Sequence, residues 1–162
     1  TDGLKLCIYE AYRSLPLQQK LFDERYKAIQ TQHPSWKHEE IFIETSKMVS
    51  PVINLDGSKN IPPHSTGGAV DLYLIDATGN IVDMGIKAAD WMDDIDGSIS
   101  QTDSSKISPT AKRYRDIMSE ALAKVGFINY AGEYWHWSYG DRYWAYLSGH
   151  EMALYGTIGG QY

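Results

Sequence analysis

Gly68-Ala69-Val70-Asp71-Leu72-Tyr73-Leu74-Ile75-Asp76 alternates well enough to predict a β-strand, and Ala77-Thr78-Gly79-Asn80 is a turn leading into a second apolar run over 81–84. The two runs are expected to pair as a hairpin. Just upstream, 50–68 contains Pro51, Gly57, Pro62, Pro63, Gly67 and Gly68, a long ordered loop of the kind that often carries function. Further back, Leu4-Lys5-Leu6-Cys7-Ile8-Tyr9 reads as a strand. Leu17, Leu21, Phe22 and Ile29 then follow helical spacing over 15–30, with Pro16 in the first turn, and 37–49 fits a second helix with Ile41, Met48 and Val49 inward. Downstream, the polar, acidic stretch 90–108 is expected to be surface loop. Pro109 opens the clearest helix, which runs to about Val125 with Tyr114, Ile117, Met118, Leu122 and Val125 on one stripe and stops at Gly126. Residues 127–130 and 133–139 read as strands, and the aromatic tail 143–147 fits either a strand or a helical turn. With no internal repeat and no boundary in sight, 1–162 is expected to form one α+β domain, helices packed on a mostly antiparallel sheet.

Composition narrows the function before any motif is considered. The 162 residues are 43% hydrophobic and 22% charged, which is ordinary for a globular chain and argues against disorder. Fifteen Lys and Arg against 21 Asp and Glu leave a formal charge of -6, without the clustered cations that a phosphate backbone requires, so nucleic acid is not an expected partner. A single cysteine, Cys7, excludes an internal disulfide and Cys-rich zinc chemistry. That leaves His33, His38, His64, His136, His150 and the carboxylates as metal ligands. No apolar run nears the roughly 20 residues that cross a bilayer. No signal peptide is visible from Thr1, which leaves open a segment removed upstream, and between compartments the cytoplasm is only slightly favoured over export.

Phosphate-loop, dinucleotide, nucleophile-elbow and HExxH signatures are absent, and two short clusters remain. In His64-Ser65-Thr66-Gly67-Gly68-Ala69-Val70-Asp71 the two glycines allow a change of direction that brings a loop histidine to a strand aspartate; a solvated pair on the outer face fits the same residues. In Glu133-Tyr134-Trp135-His136-Trp137 a Glu and a His are threaded among side chains that normally bury area, where ionisable groups need a partner or a metal. An offset of three puts Glu133 and His136 on opposite faces of a straight strand, so a bulge or bend is implied if they act together. Jointly the clusters supply two imidazoles and a carboxylate, the composition of a catalytic zinc site with an open fourth position. His64, Asp71 and His136 are then the ligands and Glu133 the general base.

His64-x-x-Gly67-x-Ala69-x-Asp71 and Glu133-x-x-His136 resemble the two zinc motifs of the D-Ala-D-Ala dipeptidases of the vancomycin-resistance type, which are related to the D,D-carboxypeptidases and share a fold with the Hedgehog signalling domain. Tyr12-Arg13 resembles that family's Tyr-Arg-Pro segment, Val82-Asp83-Met84-Gly85 its Met-Gly hairpin return, and 135–145 the tail of bacterial members. The resemblance implies one zinc ion per chain on His64, Asp71 and His136, with Glu133 as base. It also implies Arg13 as the cation that stabilises the oxyanion and Asp90 as the partner of the substrate's free ammonium. That last match implies a dipeptidase acting on a small D-amino-acid dipeptide. Pro62 stands where the family usually has Ser, Thr66 where Lys or Arg is common, and Ser14 where Pro follows the arginine. Relatives also carry more chain before the first strand, which leaves either a missing segment or a more open pocket. Two other readings stand beside the dipeptidase. One is a D,D-carboxypeptidase or endopeptidase on longer cell-wall peptides, for which Asp90 would matter little. The other is a non-catalytic Hedgehog-like zinc domain, which has no need of Glu133 or Arg13.

Overall fold

The computed structural model describes residues 3–158. Its strand β2 (Ala69–Ile75) lies inside a four-stranded sheet of order β1-β2-β4-β3, with β1 (Lys5–Glu10), β3 (Ile128–Asn129) and β4 (His136–Ser138). Every neighbouring pair is antiparallel. Alternation along β2 sorts its side chains. Leu72 and Leu74 enter the core with Met84, Met118, Leu122, Tyr134 and Trp137, while Asp71 is buried on the opposite face. That second face holds the polar site.

Three helices flank the sheet before a short fourth closes the fold. Helix α1 (Leu15–Gln32) starts where the Ser14 hydroxyl accepts the Leu17 N–H, with Pro16 in its first turn, and α2 (His38–Ser46) follows the break at His33-Pro34. The two bury Phe22, Ile29 and Ile41, and Val49 is buried just beyond α2. Helix α3 (Pro109–Ala123) is capped by the Ser108 hydroxyl on Ala111 N–H and places Met118 and Leu122 under the sheet. The aromatic tail is helical, α4 (Arg142–Ser148), because the Asp141 carboxylate caps Trp144 N–H and Gly149 ends it in the left-handed region.

Several expectations need correction. The hairpin after β2 amounts to one bridge, Ile75 to Ile81, with a bond from Val82 N–H to the Leu74 carbonyl; Asp83 then accepts the Gly85 N–H and turns the chain away. Val125 is exposed rather than on the buried stripe, since α3 ends before it. Residues 133–135 are not strand. The Glu133 N–H bonds to the Tyr130 carbonyl and the His136 N–H to the Glu133 carbonyl, which makes this a turn.

The acidic stretch 90–108 is also more than surface loop. Asp94 is buried and accepts the N–H groups of Ile99 and Ser100. Two buried arginines hold the segment by its carbonyls. Arg25 donates to Asp94 and Ile95 (2.9 and 2.7 Å), and Arg115 donates to Met84 and Gln101 while lying 4.1 Å over the Tyr134 ring. Removing Arg115 leaves those carbonyls unpaired in a buried place, so Arg115→Ala is expected to cost about 3 kcal/mol. That corresponds to roughly 6–12 °C in Tm for a chain of this length. Thermal denaturation beside the exposed control Arg113→Ala checks it, and equal shifts would contradict the role given to Arg115.

Candidate active site

Pairing across the sheet aligns the polar face. Asp71 stands opposite His136 on β4 and opposite Glu10 on β1, and directly opposed residues project to one side. Glu10 reaches this row only because the β1–β2 register shifts between Ile8 and Glu10. A bulge there re-aims the carboxylate that regular pairing would send to the other face. His64 arrives from a short 3-10 helix, Pro63–Thr66, closed by Gly67 at φ +72°, a conformation that favours glycine. The change of direction allowed by the two glycines is therefore present. Arg13 and the His64 turn hold each other: Arg13 N–H donates to the His64 carbonyl and the Ser65 hydroxyl to the Arg13 carbonyl.

His64 Nε2, His136 Nδ1 and Asp71 Oδ1 form a nearly equilateral triangle, with separations of 3.0 Å between the imidazoles and 3.3 and 3.2 Å from each to the carboxylate. All three residues are buried. Tetrahedral zinc bonds of about 2.0 Å set ligand atoms roughly 3.3 Å apart, so the triangle has the size such an ion needs. His64 Nδ1–H donates to the Ala11 carbonyl at 2.7 Å, which leaves the Nε2 lone pair facing Asp71 and His136. A carboxylate and lone-pair nitrogens gathered this closely suit a cation. Burial would raise the Asp71 carboxyl, yet His136 and His64 hold it well below the ordinary carboxylate range. Burial pushes the His136 imidazole down, toward its neutral form.

Glu133 sits beside the triangle, Oε2 lying 3.9 Å from His136 Nδ1. The turn at 130–136 supplies the bend that a straight strand would lack, and Asn129 fixes it by donating to the Glu133 and His136 carbonyls (3.1 and 3.0 Å). Burial, then the charge of Asp71, pushes the Glu133 carboxyl well above its ordinary value, with Arg13 opposing. Arg13 faces the triangle from β1's end, Nη2 being 3.9 Å from Asp71 Oδ2. Its guanidinium is gripped by Glu10 and donates to Gln18 (3.0 Å); burial works against its charge, and the Glu10 bond and charge, then Asp71 and Glu133, more than offset that.

These groups open into a cavity of about 920 Å³, walled on one side by α1 and α2 and on the other by Tyr130, Tyr143 and Tyr146. Trp91 and Tyr146 line it, and Trp144 is buried. Asp90 does not line it, although its neighbours Ala88 and Trp91 do; the carboxylate is exposed and its charge helps raise the Tyr9 phenol, behind burial and nearer acids. His33, His38 and His150 lie away from the site, stacked on Trp36, bonded to Tyr26 and stacked on Trp144.

Glu10, Gln18 and Tyr130 were missed by sequence reasoning. Glu10, three residues before Arg13, was a visible signal for the first. Gln18 and Tyr130 carried none, since their partners, the Ser50 and Lys47 carbonyls, are distant in sequence.

A model of the D-Ala-D-Ala dipeptidase family matches residues 1–151. The chain belongs to this family. The enzyme class drawn from the two motifs, a zinc metallopeptidase, is the family's. Among curated relatives, a D-alanyl-D-alanine dipeptidase of Synechocystis sp. (strain ATCC 27184 / PCC 6803 / Kazusa) is 27% identical over 95% of this chain and 69% of its own length. One of Escherichia coli (strain K12) is 29% identical over 83% of this chain and 55% of its own, so the chain spans little more than half of that relative. Two solved structures are similar over 94% of the chain. One is a variant of the vancomycin-resistance D,D-pentapeptidase VanY in complex with Zn(II), 17% identical over 71% of that protein with a TM-score of 0.41. The other is VanYB in complex with D-alanine-D-alanine, 20% identical over 70% of that protein with a TM-score of 0.40.

Proposed function

We propose that this protein hydrolyses the peptide bond of the D-Ala-D-Ala dipeptide, using one zinc ion on His64 Nε2, Asp71 Oδ1 and His136 Nδ1. The observation that carries the reading is the triangle of ligand-type atoms with a raised carboxyl on one side and a fixed cation on the other. When bound, zinc supplies Lewis-acid polarisation and acidifies water near neutral pH. Glu133 takes a proton from the attacking water at its carboxylate and delivers it to the departing amine; a carboxyl raised by burial suits both halves of that transfer. Arg13, immobilised by Glu10, aims a permanent positive charge at the oxygen where negative charge develops. Asp90, exposed between Ala88 and Trp91 in the chain, which both line the cavity, pairs with the substrate ammonium.

Two observations favour a second reading. A cavity of about 920 Å³ is at the upper end of the range that holds drug-sized ligands, more than two alanines fill, and Asp90 stands off its wall. Both suit a D,D-carboxypeptidase acting on a longer peptide. Release of D-Ala from D-Ala-D-Ala and from its N-acylated form, each with and without a chelator, separates the two. The expected result is cleavage of the free dipeptide alone, suppressed by the chelator, with Asp90→Ala raising KM for it. Cleavage of only the acylated peptide would replace the dipeptidase with the carboxypeptidase, and cleavage of neither by zinc-loaded protein would remove both. A non-catalytic zinc domain fits poorly, because binding alone gives Glu133 and Arg13 nothing to do.

A further inference from the structure

Charge is distributed unevenly across the mouth of the cavity. Arg13 and Glu10 stand at the β1 edge, and the triangle comes from the 3-10 helix and the middle strands β2 and β4. Helix α4 lies toward the β3 edge. There the Tyr143 hydroxyl donates to the Asn129 carbonyl at 3.4 Å, and its ring stands edge-on to Tyr130, centres 5.6 Å apart. Tyr130 in turn stands edge-on to His136 at 6.1 Å, so the start of α4 is linked by contacts to the reacting centre. Arg142 precedes Tyr143 and lines the same cavity.

Arg13, Lys47 and Arg142 are the cations of that lining among the described residues. Glu10 and Gln18 hold Arg13, and Glu44 pairs with Lys47. Arg142 is exposed and has neither a hydrogen bond nor an ion pair among the described residues. A guanidinium presents a planar fork matched to a carboxylate and is weakly hydrated, so an unpartnered one on a cavity wall selects for that group. The dipeptide has one carboxylate, on the residue that leaves, one residue past the bond that breaks.

We propose that Arg142 binds the free carboxylate of the departing residue and so orients the bound peptide with its carboxyl end toward α4. This rests on the peptidase reading above and adds to it a residue that determines specificity. The test compares steady-state hydrolysis of D-Ala-D-Ala and its C-terminal amide by wild type, Arg142→Gln and Arg142→Lys. Wild type is expected to show a lower KM for the acid than for the amide. Arg142→Gln is expected to raise KM for the acid roughly 10-fold, with kcat changing less, and to close the acid–amide gap; Arg142→Lys restores part of it. A gap that persists in Arg142→Gln, or a KM that rises equally for acid and amide, overturns the assignment while the peptidase reading stands. Wild type that cleaves neither compound overturns the peptidase reading, and the carboxylate anchor with it.

Discussion

His136→Ala is expected to abolish hydrolysis and to remove zinc from the dialysed protein. Three protein ligands are the minimum of a catalytic zinc site, and the triangle of His64, Asp71 and His136 has no spare member: Glu133 stands 3.9 Å from the His136 nitrogen, outside the 3.0–3.3 Å spacing of the others. Changes in outer-shell partners alone cost roughly 10–100-fold in metal affinity, and loss of a ligand should cost more. The protonation states already suit the ion. Asp71 is held as carboxylate and His136 is pushed toward neutral imidazole, so few protons compete with zinc near pH 7. Heat provides a second readout. A ligand at about 1,000 times its Kd stabilises the native state by about 4 kcal/mol, so zinc should raise the Tm of the wild type and leave His136→Ala unmoved. Zinc retained at wild-type stoichiometry in His136→Ala would show that the ligand set is wrong.

Legibility from sequence followed the range of the forces involved. Residues 68–76 read as strand because alternation is a local signal, and the inward Leu72 and Leu74 fix which face carries Asp71. The helix from Pro109 was readable through that proline and the stop at Gly126. What escaped depends on distant partners. The bulge that turns Glu10 into the site arises from β1–β2 register, which no property of Tyr9 or Glu10 alone encodes. Arg25 and Arg115 look like surface residues until the carbonyls of 84–101 close over them, and an acidic stretch looks solvated until Asp94 finds Ile99 and Ser100 N–H. The Glu133–His136 offset was informative in another way, since it implied a bulge or bend if the two act together. A straight strand would have separated the two, and the turn that unites them is built from backbone bonds to Tyr130 and Glu133.

Glu133→Gln separates metal binding from proton transfer, because the substitution keeps the shape of the side chain and removes only its basicity. Its kcat is expected to fall roughly 10³-fold, within the range that general acid–base groups contribute. The change should leave the ion in place, since Glu133 lies outside the triangle, and affinity for substrate should change little by comparison. The physical case rests on where this carboxyl sits. It is buried, and both burial and the nearby charge of Asp71 raise it, while Arg13 restrains the rise. A surface carboxylate of ordinary acidity would accept a proton from water weakly; a raised one accepts it more readily and still releases it to an amine, which is far more basic. Glutamine at this position can hydrogen-bond the water and take no proton from it. Kinetics paired with zinc analysis of the same preparation therefore decide the role: low kcat with full zinc marks Glu133 as the base, low kcat with lost zinc makes it a ligand, and unchanged kcat removes it from the chemistry.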